Sequence, residues 1–131
     1  MPDQHTYDYA VIRVVPRVER EEFVNAGVVV SCPATKFLAA RIELDEARVS
    51  ALDPDVDLDS VRAHLESLAA ICAGGADAGP IGRLSAKERF RWVTSPRSTI
   101  IQTSPAHTGT CSDPAAVLEH LLAVMVRTTR A

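Results

Sequence analysis

The stretch from Phe90 to Cys111 gathers most of the side chains that could do chemistry: Arg91, Trp92, Arg97, Ser98, Thr99, Gln102, Ser104, His107, Thr108 and Cys111. Polar side chains dense on turns beside a sheet are how many sites are built. Arg97 offers a planar guanidinium fork suited to carboxylate or phosphate, and Ser98 and Thr99 add hydroxyl donors. His107 stands four residues before Cys111, so the two form a thiolate–imidazolium contact if the intervening turn bends back. Ser98 is the alternative nucleophile. No orienting third group is identifiable, and cysteine is also a commonly buried small residue. Trp92 beside Arg89 and Arg91 has the composition of a partner-binding anchor, and equally that of a core residue. Upstream, Arg13 interrupts an apolar run and Arg17 follows it. Arginine favours bidentate recognition of anions, although Arg13 could instead pair with Glu43 or lie at a sheet edge.

Metal chemistry finds less support. His5, His64, His107 and His120 show no HxH or HExxH spacing, and Cys32, Cys72 and Cys111 include no CxxC pair. The run Asp53–Asp59 (DPDVDLD) resembles a calcium loop but lacks the glycine at the sixth position, where Leu58 stands, and the late glutamate. A helix cap explains those carboxylates better. No metal and no cofactor is expected.

The elements that must position these residues are legible in part. Residues 7–15 are β-branched and aromatic, apolar on both faces, which predicts a central strand ended by Pro16. Residues 17–25 read as a turn or one short helix. Val28–Cys32 and Phe37–Leu44 read as two further strands joined by a hairpin through Ala34–Lys36. Asp53-Pro54 or Asp57 then caps a helix whose stripe is Leu58, Val61, Leu65, Leu68 and Cys72, stopped by Gly74 and Gly75. Residues 74–83 read as a flexible linker. Ser85 and Glu88 have capping-box spacing for a short helix from Ala86 to about Trp92. TSPRST (94–99) and TSPAHT (103–108) predict two similar turns bracketing a fourth strand at Thr99–Thr103. Asp113-Pro114 caps a last helix with Val117, Leu118, Leu121, Leu122, Val124 and Met125 on its buried side. The expectation is one α+β domain over residues 1–131: an antiparallel sheet of about four strands with two main helices packed on one face.

Charge narrows the function classes. The net charge of −3 argues against nucleic acid as a partner. Its distribution is uneven: residues 43–77 carry a net of −7 and residues 83–111 a net of +4. The second region could attract an anion, or the two could simply neutralise each other across the fold. With 47% hydrophobic residues the chain can bury a core. No signal peptide and no run of about 20 apolar residues stands out, so the cytoplasm, without a membrane span, is expected.

The stretches YDYAVIRVVPRVEREEFVNAGVVV (7–30) and FRWVTSPRSTIIQTSPAHTG (90–109), followed by Cys111 and Asp113-Pro114, resemble a bacterial family catalogued as domain of unknown function 3037. With the intervening acidic helix the resemblance spans nearly the whole chain. It implies no particular reaction. It does imply a partnership with a HipA-like protein kinase, beside which relatives are often encoded. The residues that match the family pattern include Arg13, Arg17, Asn25, Gly27, Arg91, Trp92, Pro96, Arg97, Ser98, His107, Thr108 and Cys111. Taken together, the expectation is a binding or accessory protein holding a partner or an anionic group on the Arg91–Thr108 surface, with Arg13, Arg17, Arg91, Trp92, Arg97, Ser98, Thr99, His107 and Thr108 as binding residues. The alternative is a small enzyme, or a protein binding an anionic ligand or nucleotide, that uses His107 with Cys111 or Ser98.

Overall fold

Strand β1 (His5–Val14) runs through the middle of the sheet, as its two apolar faces require. The computed structural model describes residues 3–97 and 99–128. Antiparallel β2 (Val24–Cys32) pairs with one edge of β1, and β3 (Phe37–Ile42) pairs with β2. The other edge of β1 is shared by two short strands in line: β4 (Ile101–Thr103) against Ile12–Val14, and β5 (His107–Cys111) against His5–Tyr9. Between them the buried Ser104 keeps the ladder closed. Its backbone N–H donates to the Val11 carbonyl at 2.8 Å, and its Oγ accepts from the Val11 N–H at 2.9 Å. The sheet is therefore antiparallel with five strands where about four were expected. The extra one, β5, begins inside the expected TSPAHT turn, and HTGTC has no apolar face to mark it as a strand.

Among the described residues four α-helices complete the α+β fold. α1 (Glu46–Leu52), which sequence patterning did not pick out, is capped by Asp45, whose carboxylate accepts from the Arg48 N–H. α2 (Leu58–Ala73) is capped by Asp57 and buries Val61, Leu65, Leu68, Ile71 and Cys72, close to the predicted stripe. α3 (Ala86–Val93) starts at the Ser85–Glu88 box, and α4 (Pro114–Met125) starts at Asp113. Arg89 of α3 donates from Nη1 to the carbonyls of Ile71 and Cys72 at 2.9 and 2.6 Å, satisfying the open C-terminal carbonyls of α2. The 74–83 connection, read as a linker, holds 3-10 turns at Ala76–Ala78 and Ile81–Arg83, tied by a hydrogen bond from the Gly75 N–H to the Gly82 carbonyl.

The helices do not share a face of the sheet. Ala10, Ile12 and Val14 of β1, with Val29 of β2, pack against α1, α2 and α3 in one core. Val28 and Val30, with Tyr7, Tyr9, Phe37 and Ala39, pack against Leu118, Leu121 and Leu122 of α4 in a second. Strands apolar on both faces need cover on both, and two helices on one side would have left the second face bare. Val124, expected on the buried side of α4, is 60% exposed.

A β-bulge sets the orientation that matters below. Ile12 faces Gly27 and Arg13 faces Asn25, so Ala26 is the extra residue in β2. Beyond it the alternation inverts: Val24 and Ala26 join the α2-side core, and Asn25 turns to the face that carries Arg13. Gly27 is obligatory at this point, because a Cβ there would lie 2.5 Å from the Arg41 carbonyl oxygen.

Candidate functional site

Arg13 sits on the central strand between Asn25 of β2 and Gln102 of β4, its register partners on either side. Three polar side chains thus form a row across the sheet. The guanidinium of Arg13 stacks on Phe23, with its carbon 4.2 Å from the ring centroid. Its Nε is buried and donates to nothing among the described residues, and the buried Oδ1 of neighbouring Asn25 likewise accepts nothing. The Asn25 amide Nδ2 donates to the Met125 carbonyl at 2.9 Å, tying the row to the end of α4. Neither the suspected Glu43 partner nor an edge position accounts for Arg13: Glu43 binds Arg127 and Arg41, and β1 is central.

Arg97 reaches the same place from the turn after α3. Arg13, Arg97, Gln102, Phe23, Val15, Val18 and Glu21 line one cavity of about 330 Å³. Arg97 stacks on the indole of Trp92 at 4.3 Å and donates from Nη2 to the Trp92 carbonyl. Gln102 donates to the Thr99 carbonyl at 2.9 Å, which holds the turn against β4. Each arginine is therefore buttressed by an aromatic face, and among the described residues neither has a carboxylate within 4.0 Å. Glu21 is the single carboxylate among the described residues of the lining, held in the left-handed region at φ 57° by the tight turn after Val18–Arg20. On the α2 side of Arg97 a second cavity of about 480 Å³ is lined by His64, Ser67, Leu68, Ile71, Trp92, Arg97, Thr99 and Ile101. Arg97 and its turn separate the two.

A larger cavity, about 570 Å³, lies beside Glu43, Asp45, Glu46 and Arg127. Its arginine is already clamped: Arg127 contacts Glu43 at 2.7 Å and Glu119 at 2.8 Å, and Arg41 joins the same network. The guanidinium hydrogen bonds hold the carboxyls of Glu43 and Glu119 below their ordinary value. A neutralised arginine among carboxylates is a poor anion receptor, so this cavity lacks what the Arg13–Arg97 cavity has.

The other candidate residues lie apart from this cavity. Arg17 is exposed and paired to Glu19 at 2.9 Å. Arg91 is exposed on α3. Thr99 is in the α2-side cavity, with its Oγ1 donating to the Ile101 carbonyl. Ser98 lies outside the described residues. His107 and Thr108 belong to β5: His107 stacks on Tyr9 at 5.3 Å, and Thr108 donates to Asp8 at 2.6 Å.

The His107–Cys111 contact is not made. The segment between them is strand, not a returning turn, so four residues separate them by about 13 Å along the chain. Cys111 is buried, and its thiol is pushed above its ordinary value by burial and by neighbouring Cys32. Both changes disfavour a thiolate. Gly109 between them has its own reason: the Tyr7 ring covers it, and a Cβ would lie 2.6 Å from the phenol oxygen.

Sequence patterning missed Phe23, His64 and Ser67. Phe23 lies in the charged 17–25 segment, and its exposure of 44% is that of a platform rather than a core residue. His64 and Ser67 are one turn apart on the outer side of α2, where spacing alone marks only a solvated face.

The fold and these side chains define a small α+β protein with a cavity lined by two stacked arginines at one end of its sheet. The family model described as protein of unknown function (DUF3037) matches residues 9–126, and the chain belongs to that family. No curated protein and no solved structure matches the chain. No helix among the described residues is long and apolar enough to cross a membrane.

Proposed function

We propose that this protein binds a small anionic group, phosphate or carboxylate, between Arg13 and Arg97, and that it serves as a binding or accessory protein. The observation that carries this is the convergence on one cavity of two arginines that, among the described residues, have no carboxylate partner, one of them with a buried Nε that meets no acceptor there. A buried N–H without an acceptor costs roughly 1–3 kcal/mol. A chain that keeps this arrangement on its central strand is consistent with an acceptor arriving from outside. Gln102 supplies an uncharged donor or acceptor beside the two guanidinium groups. Titration calorimetry with inorganic phosphate and with acetate tests the reading. Saturable binding that Arg13→Met and Arg97→Met each weaken supports it; heat signals that are absent, or unchanged in both variants, overturn it.

In this reading the protein works in the cytoplasm, and its anion-bound state is what a partner recognises. The family resemblance points to a HipA-like kinase as that partner. Co-purification of the kinase with the wild-type chain but not with Arg97→Ala supports both ideas. Equal capture removes the arginine surface from the contact, and no capture removes the kinase.

The enzymatic alternative with His107 and Cys111 is disfavoured by strand spacing and burial. Alkylation of Cys111 in the folded protein, at a rate that follows titration of a neighbour near neutral pH, would restore it.

A further inference from the structure

We propose that β5 is the contact through which two copies of this chain pair, edge to edge, into a dimer with one continuous sheet. The inference stands apart from the anion-binding reading and begins with the direction of the backbone groups. The Val11 carbonyl accepts from the Ser104 N–H, and the Val15 N–H donates to the Ile100 carbonyl. The odd-numbered residues of β1 therefore direct their N–H and C=O groups toward the side of β4 and β5. Tyr9, Tyr7 and His5 face His107, Gly109 and Cys111 in register, so these pairs carry the hydrogen bonds between β1 and β5. The N–H and C=O groups of Thr108 and Thr110 then point away from the sheet. Among the described residues no strand lies beyond them, because β5 pairs with β1 alone. Such an edge accepts a further strand unless it is guarded by charge, proline, a bulge or a covering segment. The opposite edge, β3, carries Arg41 in ion pairs with Glu43 and Glu119. From His107 to Cys111, β5 has no charged residue, no proline and no break in register, and His107, Thr108 and Thr110 are exposed.

The strand that fits this edge is another β5. The sequence HTGTC is nearly symmetric about Gly109. Laid antiparallel on a second copy, it sets Thr108 opposite the partner's Thr110 and Thr110 opposite the partner's Thr108. Each of these pairs exchanges both of its N–H···O bonds, so every outward backbone group of the two threonines is answered. Gly109 meets the partner's Gly109 on the two-fold axis as a non-hydrogen-bonded pair, the kind with the closest approach, about 4.5 Å between Cα atoms. On one face the threonines stand side by side as favourable cross-strand pairs. On the other, the Tyr7 ring lies over Gly109, where a Cβ would come within 2.6 Å of the phenol oxygen, so the two tyrosine rings flank the axis. A foreign strand would need side-chain pockets beside the edge for its specificity. The face of Thr108 offers it Thr6, Asp8, Thr108 and Thr110, short polar side chains that anchor no large residue. An edge of five residues buries little, at the low end of interface sizes below about 1,200 Å², so the dimer exchanges with the monomer and its population follows concentration.

Sedimentation velocity on the full chain, from micromolar to millimolar protein, tests the proposal. The expected result is a mean mass that rises from 14.1 kDa toward twice that value. Thr110→Pro removes an outward N–H and puts the ring in its place while leaving the bonds to β1 intact, a change that an edge strand tolerates. It should stay monomeric at every concentration with the circular dichroism of the wild type. Thr110→Val keeps the N–H and the branched shape and should dimerise as the wild type does. Hydrogen exchange read by NMR supplies the local check: the amides of Thr108 and Thr110 should exchange several-fold more slowly in concentrated than in dilute wild-type protein. A chain that is monomeric throughout leaves the edge to a foreign strand and overturns the proposal. A dimer that Thr110→Pro leaves intact, or that forms without slowing exchange at Thr108 and Thr110, has its contact elsewhere and overturns it equally. Should Thr110→Pro fail to fold, the exchange measurement on the wild type decides alone.

Discussion

Replacing Arg13 by methionine should make the empty protein more stable, not less. The guanidinium leaves a buried Nε without an acceptor, a penalty of roughly 1–3 kcal/mol in native proteins. Against it stands the cation–π contact with Phe23, worth about 0.5–1 kcal/mol where the pair is partly solvated. Methionine keeps an unbranched stem over the Phe23 ring and adds a sulfur–aromatic contact of about 0.3–1.5 kcal/mol. The midpoints of these ranges favour the variant by about 2 kcal/mol, a rise in melting temperature of roughly 6–10 °C for a chain of this size. Ligand then reverses the comparison. Phosphate at about a hundred times its dissociation constant stabilises a binding-competent protein by about 2.7 kcal/mol, and the variant by nothing. Thermal melts followed by circular dichroism, with and without phosphate, should show Arg13→Met ahead in plain buffer and level with or behind the wild type in phosphate. A variant that melts several degrees lower in plain buffer would refute the reasoning, because Arg13 would then be a structural residue whose Nε is satisfied by bound water.

Three further outcomes follow from the same coordinates. Gly27→Ala places a Cβ 2.5 Å from the Arg41 carbonyl and 2.9 Å from Ile42 Cδ1, and should destabilise by about 3 kcal/mol in urea unfolding; a change within error would mean the bulge is absent in solution. Ser104→Ala leaves the Val11 N–H without its acceptor inside the sheet and should cost about 2 kcal/mol, with faster hydrogen exchange at Val11 as the local check; unchanged exchange there refutes the assignment. Glu43 and Glu119 have folded-state carboxyls held below their ordinary 4.5, chiefly by hydrogen bonds from Arg127, so they bind fewer protons than in the unfolded chain. Their stabilisation is full above pH 4.5 and is lost as the pH falls through the lowered values. Arg127→Ala should therefore flatten the stability profile in that window, added salt should shrink the difference because the pairs are exposed, and parallel profiles would exclude the network as a contributor.

What could be read from the residues in order was what depends on near neighbours. The two apolar faces of residues 7–15 identify a central strand, the Ser85–Glu88 spacing opens α3, and Asp113-Pro114 opens α4, because each signal lies within a few residues of its effect. The same logic, carried further, contained the layering: Val28, Val29 and Val30 alternate between faces, so β2 needed apolar cover on both sides. β5 gave no such sign. It is held by backbone pairing to His5–Tyr9, which asks little of side-chain type, and its glycine serves the ring of Tyr7 rather than a turn.

The candidate cavity was half legible, for a reason that the bulge makes plain. Arg13 stood out because it breaks an apolar pattern, and Arg97 because it lies in a polar run. Nothing in their spacing says that they line one cavity, since that requires β4 to return along β1 and place Gln102 opposite Arg13. Phe23 and Asn25 were harder still. In an unbroken β2 the inward-facing Val28 and Val30 would put the even-numbered residues on the α4 side throughout, with Asn25 on the other face, away from Arg13. The extra residue at Ala26 inverts that alternation, and Gly27 allows it because only a glycine fits beneath the Arg41 carbonyl. One inserted residue thus turns an asparagine beside the arginine, and the stability lost at the orphaned Nε and Oδ1 is the trace it leaves. A variant that removes the bulge by deleting Ala26 should therefore lose anion binding even with Arg13 and Arg97 intact, whereas retained binding would separate the cavity from the backbone irregularity that orients it.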